Sequence, residues 1–183
     1  MQRLPLLCCI TLSFLLLSAC AFVAGQPTPV PRVESRYDDA GIKTEVSGAL
    51  LALDPSQAST VNVHCFYGHV FLVGEGNREF CRQAVAAAEK VPGANKVSTH
   101  WFPSGSAFTH EDAAIEAEIS ERLPSTGKDA GRRIDADVWG GHVVLTGMVH
   151  KESDIQAAVT AVKRIKNVRS VTSYIVPDNA NKP

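Results

Sequence analysis

Apolar residues recur along this chain at two spacings, and the spacings alternate in a fixed order. Ile42, Val46 and Leu50 stand four apart in DAGIKTEVSGAL, and Ile115, Ile119 and Leu123 do the same in DAAIEAEISERL, 73 positions later. Side chains at i, i+4 and i+8 share one helix face, so both stretches predict amphipathic helices with that stripe inward. Asp38 or Asp39 can cap the first, and Thr109 with Asp112 has the spacing of a capping box for the second.

The period then drops to two. VNVHCF (61–66) and IDADVW (134–139) keep the 73-residue offset, and each is followed by two turn residues, Tyr67-Gly68 or Gly140-Gly141. Next come GHVFLVG (68–74) and GHVVLTG (141–147), which predict the return strands of two-residue hairpins. That register sets Cys65 opposite Val70 and Val63 opposite Leu72; in the second copy it sets Val138 opposite Val143 and Ala136 opposite Leu145. Beyond Gly74 and Gly147 the offset becomes 74. Cys81, Val85, Ala88 and Val91 match Ile155, Val159, Val162 and Ile165 as a second helical face, and ANKVSTHWF and VRSVTSYIV close each copy as strands before Pro103 and Pro177. One α-β-β-α-β unit is therefore written twice. An α+β fold is expected, each unit a three-stranded mixed sheet with both helices on one face and a right-handed strand-helix-strand crossover.

With its G-x-V-x-L-x-G strand, met as GHVFLVG and GHVVLTG, this unit resembles the BON domain of bacterial envelope proteins. The resemblance makes Gly68, Gly74, Gly141 and Gly147 its structural glycines. A KH domain, another small α/β unit, would need a G-x-x-G loop to clamp a nucleic-acid backbone, and the chain has none.

The N-terminal pattern differs. Residues 1–20 carry one charge, at Arg3, and an apolar run from Leu4 to Leu17, shorter than the ~20 residues a spanning helix needs. The run ends in Leu17-Ser18-Ala19-Cys20, which resembles a lipobox and implies cleavage before Cys20, acylation of its thiol and export; Ala21 in the next position implies sorting to the outer membrane. Pro27, Pro29 and Pro31 make residues 21–36 an extended tether, ~3.1 Å per residue. The chain then divides into a signal (1–19), lipidated Cys and tether (20–36), first BON domain (37–103), linker (104–108), second BON domain (109–177) and tail (178–183). The two-domain body behind a lipobox is similar to the DolP-like lipoproteins and to the periplasmic OsmY-like proteins.

Composition adds mainly exclusions. Formal net charge is −1, without the basic excess of a nucleic-acid binder. His64, His69 and His142 sit on the outward phase of their strands, and no H-x-x-x-H or C-x-x-C gathers metal ligands. Ser104-Gly105-Ser106 lacks the G-x-S-x-G frame, and Gly74 and Gly76 precede no Lys-Ser or Lys-Thr pair. No catalytic residue, metal site or cofactor is expected, and the protein reads as non-enzymatic. Cys65 and Cys81 both replace apolar residues of the second copy; a helix lying on the strand could bridge them, whereas their positions at opposite ends of the hairpin argue against it.

In the DolP-like relatives the first helix of the second domain binds anionic phospholipid with an aromatic residue. Here Ala114 stands at that position, and Glu111, Asp112, Glu116, Glu118 and Glu121 outnumber Arg122, which puts that site in doubt. Basic residues gather instead at Lys128, Arg132 and Arg133 and at Lys163, Arg164, Lys166 and Arg169, a candidate surface for anionic headgroups or an acidic partner. The resemblance implies a lipid-anchored protein facing the periplasm that binds phospholipid or outer-membrane proteins and supports outer-membrane integrity. The other reading is a chaperone-like interaction module of the OsmY type.

Overall fold

The computed structural model describes residues 38–103, 105, 109–123, 133–149 and 151–177. Cys20, the signal and tether, Lys128, Arg132 and the tail lie outside the described residues.

The first copy comprises α1 (Asp39–Leu53), α2 (Pro55–Ala58), β1 (Val61–Phe66), β2 (His69–Gly74), α3 (Arg78–Ala88) and β3 (Lys96–Trp101). The second comprises α4 (His110–Arg122), β4 (Arg133–Trp139), β5 (His142–Val149), α5 (Glu152–Lys163) and β6 (Ser170–Pro177). Each sheet has its hairpin antiparallel and its helix-linked pair parallel, in the orders β1-β2-β3 and β4-β5-β6. Val63 pairs with Leu72 and Cys65 with Val70, Ala136 with Leu145 and Val138 with Val143, as the alternation predicts. The short α2 has no counterpart in the repeat pattern: Asp54 accepts from the backbone N–H groups of Ser56 and Gln57, and Pro55 starts the turn.

Each copy has its own core on the helix side of its sheet. Ile42, Val46 and Leu50 meet Val63, Val70 and Leu72 in one, and Ile115 and Ile119 meet Val138, Val143 and Leu145 in the other. The inward stripe of α3 departs from expectation. Phe80, Ala84 and Ala88 are buried, while Cys81 is only half-buried and Val85 packs at the margin. Asn77 caps the helix by accepting from the Phe80 N–H (2.8 Å), and the bulkier Phe80 takes the inward place that the repeat alignment gives to Cys81.

The opposite face of each sheet is not open. Phe66, Phe71, Val73 and Phe102 of the first copy form a third apolar cluster with Val144 and Met148 of the second, flanked by Trp139, Tyr174 and Val176. Phe102 stacks on Trp139 at 5.0 Å between centroids, and Phe71 lies 6.1 Å from Tyr174. The sheets therefore pack back to back, giving four layers: helices, sheet, sheet, helices. Both faces of β2 are buried, which explains why its outward phase carries Phe71 and Val73 rather than polar residues.

Candidate functional site

Asp39 and Asp112, equivalent residues of the two copies, each hold a hairpin turn. Asp39 accepts from the N–H groups of Tyr67 and Gly68, both at 2.9 Å, and Asp112 from those of Gly140 (3.0 Å) and Gly141 (2.7 Å). The turns have positive φ at both central residues, 52° and 75° in the first and 55° and 78° in the second. Tyr67 occupies a conformation that disfavours side chains, and the carboxylate clamp offsets that strain. Burial works against ionisation of Asp112, but hydrogen bonds from Thr109, Gly141 and Gly140 prevail and hold its pKa below the usual carboxylate value. Sequence spacing predicts only helix capping for these residues.

A polar cluster crosses the sheet-to-sheet contact. His64 Nε2 lies 2.8 Å from Asp137 and its Nδ1 3.2 Å from Asp135, while Asn62 Nδ2 donates to Asp137 at 2.7 Å. The His64 side chain is 11% exposed and that of Asp137 4%. Burial by itself would lower the imidazole pKa, yet hydrogen bonds and charge from Asp135 and Asp137 outweigh it and raise the pKa to about 9. His64 is thus a cation bridging two carboxylates, not the solvated outward residue its strand phase suggests. The repeat explains the pairing. Lys43, Asn62 and His64 in the first copy occupy the positions of Glu116, Asp135 and Asp137 in the second. Asn62 and His64 on one copy meet carboxylates on the other, so the two units are complementary where a pair of identical copies would repel.

Among the described residues, the backbone places Arg133 apart from the other basic positions. Arg133 pairs with Met148 at the start of β4, about 20 Å along the strand from Trp139. Lys163, Arg164, Lys166 and Arg169 lie at the other end, where the Arg169 N–H donates to the Gly141 carbonyl (2.8 Å). These four are exposed, and among the described residues none has a carboxylate partner within ion-pair distance. A cleft of about 540 Å³ opens beside Arg169, lined also by Thr109, Glu111, Trp139, His142 and Asn167.

A family model described as the BON domain matches residues 38–100 and 111–176. The chain belongs to the BON domain family. BON domains are associated with membranes and phospholipid in the cell envelope, and proteins built from them are generally not enzymes. No curated protein matches the chain. Among solved structures it is similar to the C-terminal domain of CdsD, a structural protein of the type III secretion system of Chlamydia trachomatis, at 17% identity and a TM-score of 0.31, over 76% of this chain and 67% of that one. A second CdsD structure matches at 15% identity and a TM-score of 0.31, over 80% and 70%.

On the BON helix α4, Glu111 and Glu121 are exposed and Glu118 pairs with Arg122, while Asp112 is buried against the turn and Glu116 is partly buried. His69 and His142, the repeated histidines of the BON hairpins, serve local structure. His69 stacks on Phe71 (4.0 Å) and meets Ser98 (2.9 Å), and burial, then Lys96, lowers its pKa to about 4; His142 meets Ser170 at 2.7 Å. No group of three or more His, Cys, Asp or Glu among the described residues is arranged to hold a metal ion.

Cys65 and Cys81 are not brought together. The Cys65 thiol donates to Asp39 (3.3 Å) at the turn end of the first BON sheet, whereas Cys81 lies beside Gly76, beyond the end of β2. Four residues of strand, about 13 Å, separate those levels, far more than a disulfide spans. Alkylation of the denatured protein without reductant should therefore modify both thiols, as mass spectrometry would register; protection of both would indicate a bridge.

Proposed function

We propose that this BON protein is a non-enzymatic lipoprotein of the outer membrane, anchored through acyl chains on Cys20 and facing the periplasm. Its BON pair binds anionic phospholipid and so supports outer-membrane integrity. The observation carrying this reading is the group Lys163, Arg164, Lys166 and Arg169, exposed, without carboxylate partners among the described residues, and gathered at the turn end of the second domain, where Arg169 borders a cleft. Basic residues near an anionic surface contribute about 1 kcal/mol each. No helix among the described residues is long and apolar enough to cross a membrane. The anchor and the basic end would then divide the work, one retaining the protein and the other selecting headgroups.

Reversing Lys163, Arg164 and Lys166 to Glu in the fragment from Tyr37 onward should weaken cosedimentation with phosphatidylglycerol vesicles by more than about a hundredfold. Unchanged cosedimentation would reject this surface. A second reading, the chaperone-like interaction module, is favoured by the exposed carboxylates of α4, which an anionic membrane would repel. It predicts that the same fragment suppresses aggregation of an unfolded outer-membrane protein, and that neutralising Glu111 and Glu121 reduces the effect.

A further inference from the structure

Beyond any lipid site, the molecule has a second feature suited to a partner. β1 and β4 are outer strands of their sheets and run side by side along one flank, where α1 and α4 border a groove of about 640 Å³. In a two-residue hairpin the flanking pair, here Trp139 and His142, exchanges both ladder hydrogen bonds, as do alternate pairs onward. The N–H and C=O groups of Ile134, Ala136 and Val138 therefore point away from β5, toward the groove. The Val138 N–H is taken by the Glu116 carboxylate. Those of Ile134 and Ala136 have no backbone partner among the described residues.

We propose that this groove takes an extended peptide segment carrying lysine or arginine, which adds to the outer edge of β4 as a fourth strand of the second sheet. Alternating backbone donors and acceptors are what such a segment matches, and the Glu116 cap on Val138 ends the available edge. Charge selects the side chains. Glu116, Asp135 and Asp137 line the groove against Lys43 and His64, and His64 is already engaged by the two aspartates. Burial keeps the pKa of Glu116 above the usual carboxylate value; the Val138 N–H opposes this, while the charges of Asp137 and Asp112 add to it, so a cation beside it relieves a cost. A hydrocarbon chain fits poorly, because it would leave edge N–H groups without acceptors.

The test uses the fragment from Tyr37 onward, which contains both cores, and a fluorescent ten-residue peptide alternating valine and lysine. It should bind at least tenfold more tightly than the same peptide with glutamate for lysine, and should slow amide exchange at Ile134 and Ala136. Ala136→Pro deletes an outward N–H without touching a ladder bond and should abolish binding, while Val63→Pro on β1 should retain it. Glu116→Gln with Asp135→Asn should erase most of the preference for lysine, and the Lys163, Arg164 and Lys166 reversals should leave it intact. Absence of exchange protection in β4, or binding to Ala136→Pro at wild-type strength, overturns the proposal; the exchange result on the unaltered fragment decides it even if a proline variant fails to fold.

Discussion

Replacing His64 by alanine should cost about 3–5 kcal/mol of stability, because it strands the buried Asp137 carboxylate, its side chain 4% exposed, without its cation. Chemical denaturation checks the figure, and a double-mutant cycle checks the cause. The pair His64→Ala with Asp137→Ala should lose much less than the two single losses added, since removing both partners leaves no uncompensated charge. Near-additive losses would show that the bridge does not couple the two BON domains.

The same residue predicts a pH dependence. Folding raises the His64 pKa from 6.5 to about 9, so its contribution is fully present below pH 6.5 and is lost as pH rises through 9. The loss amounts to about 3 kcal/mol. Between pH 6.5 and 9.5 the wild-type melting temperature should therefore fall further than that of His64→Ala; parallel curves would contradict the bridged imidazolium.

Gly74→Ala should be comparably damaging, for a backbone reason. A Cβ at Gly74 would overlap the Thr60 carbonyl oxygen and stand 2.7 Å from Val61 Cα. Both atoms are fixed: the Glu75 N–H donates to the Thr60 carbonyl (3.1 Å) and the Thr60 hydroxyl to the Glu75 carbonyl (2.9 Å). Relief requires parting the start of β1 from the end of β2, and a loss above about 4 kcal/mol is expected. Gly48, on α1, provides the contrast, since a methyl group there would meet nothing within 4 Å. Gly48→Ala should stabilise by about 0.8–1 kcal/mol, the helix-propensity difference. Urea midpoints of the two variants that moved in the same direction would overturn the distinction.

The contrast between faces shows what the chain discloses about itself. Inward positions such as Val63, Val70 and Leu72 are legible because a period of two leaves one phase consistently apolar. The outward phase of β2 is apolar too, at Phe71 and Val73, but its meaning depends on a partner sheet that no local pattern names. The complementary positions Lys43 and Glu116, Asn62 and Asp135, His64 and Asp137 stand in the sequence at the repeat offset. Asn62 and His64 meet Asp135 and Asp137 only once the sheets lie back to back, and then a strand-phase histidine becomes a buried cation. Composition groups Arg133 with Arg169, yet β4 carries it to the far end because a strand advances about 3.3 Å per residue. Alignment of the copies puts Cys81 inward, and Phe80 displaces it because the Asn77 cap fixes where α3 begins.

The claim that the second BON domain offers its basic end to anionic lipid is tested most directly by the unanchored fragment itself. Cosedimentation from Tyr37 onward should be strong with phosphatidylglycerol vesicles, weak with phosphatidylcholine vesicles, and reduced as salt shortens the Debye length from ~10 Å at 0.1 M to ~3 Å at 1 M. Equal binding to both vesicles, or binding indifferent to salt, would contradict it.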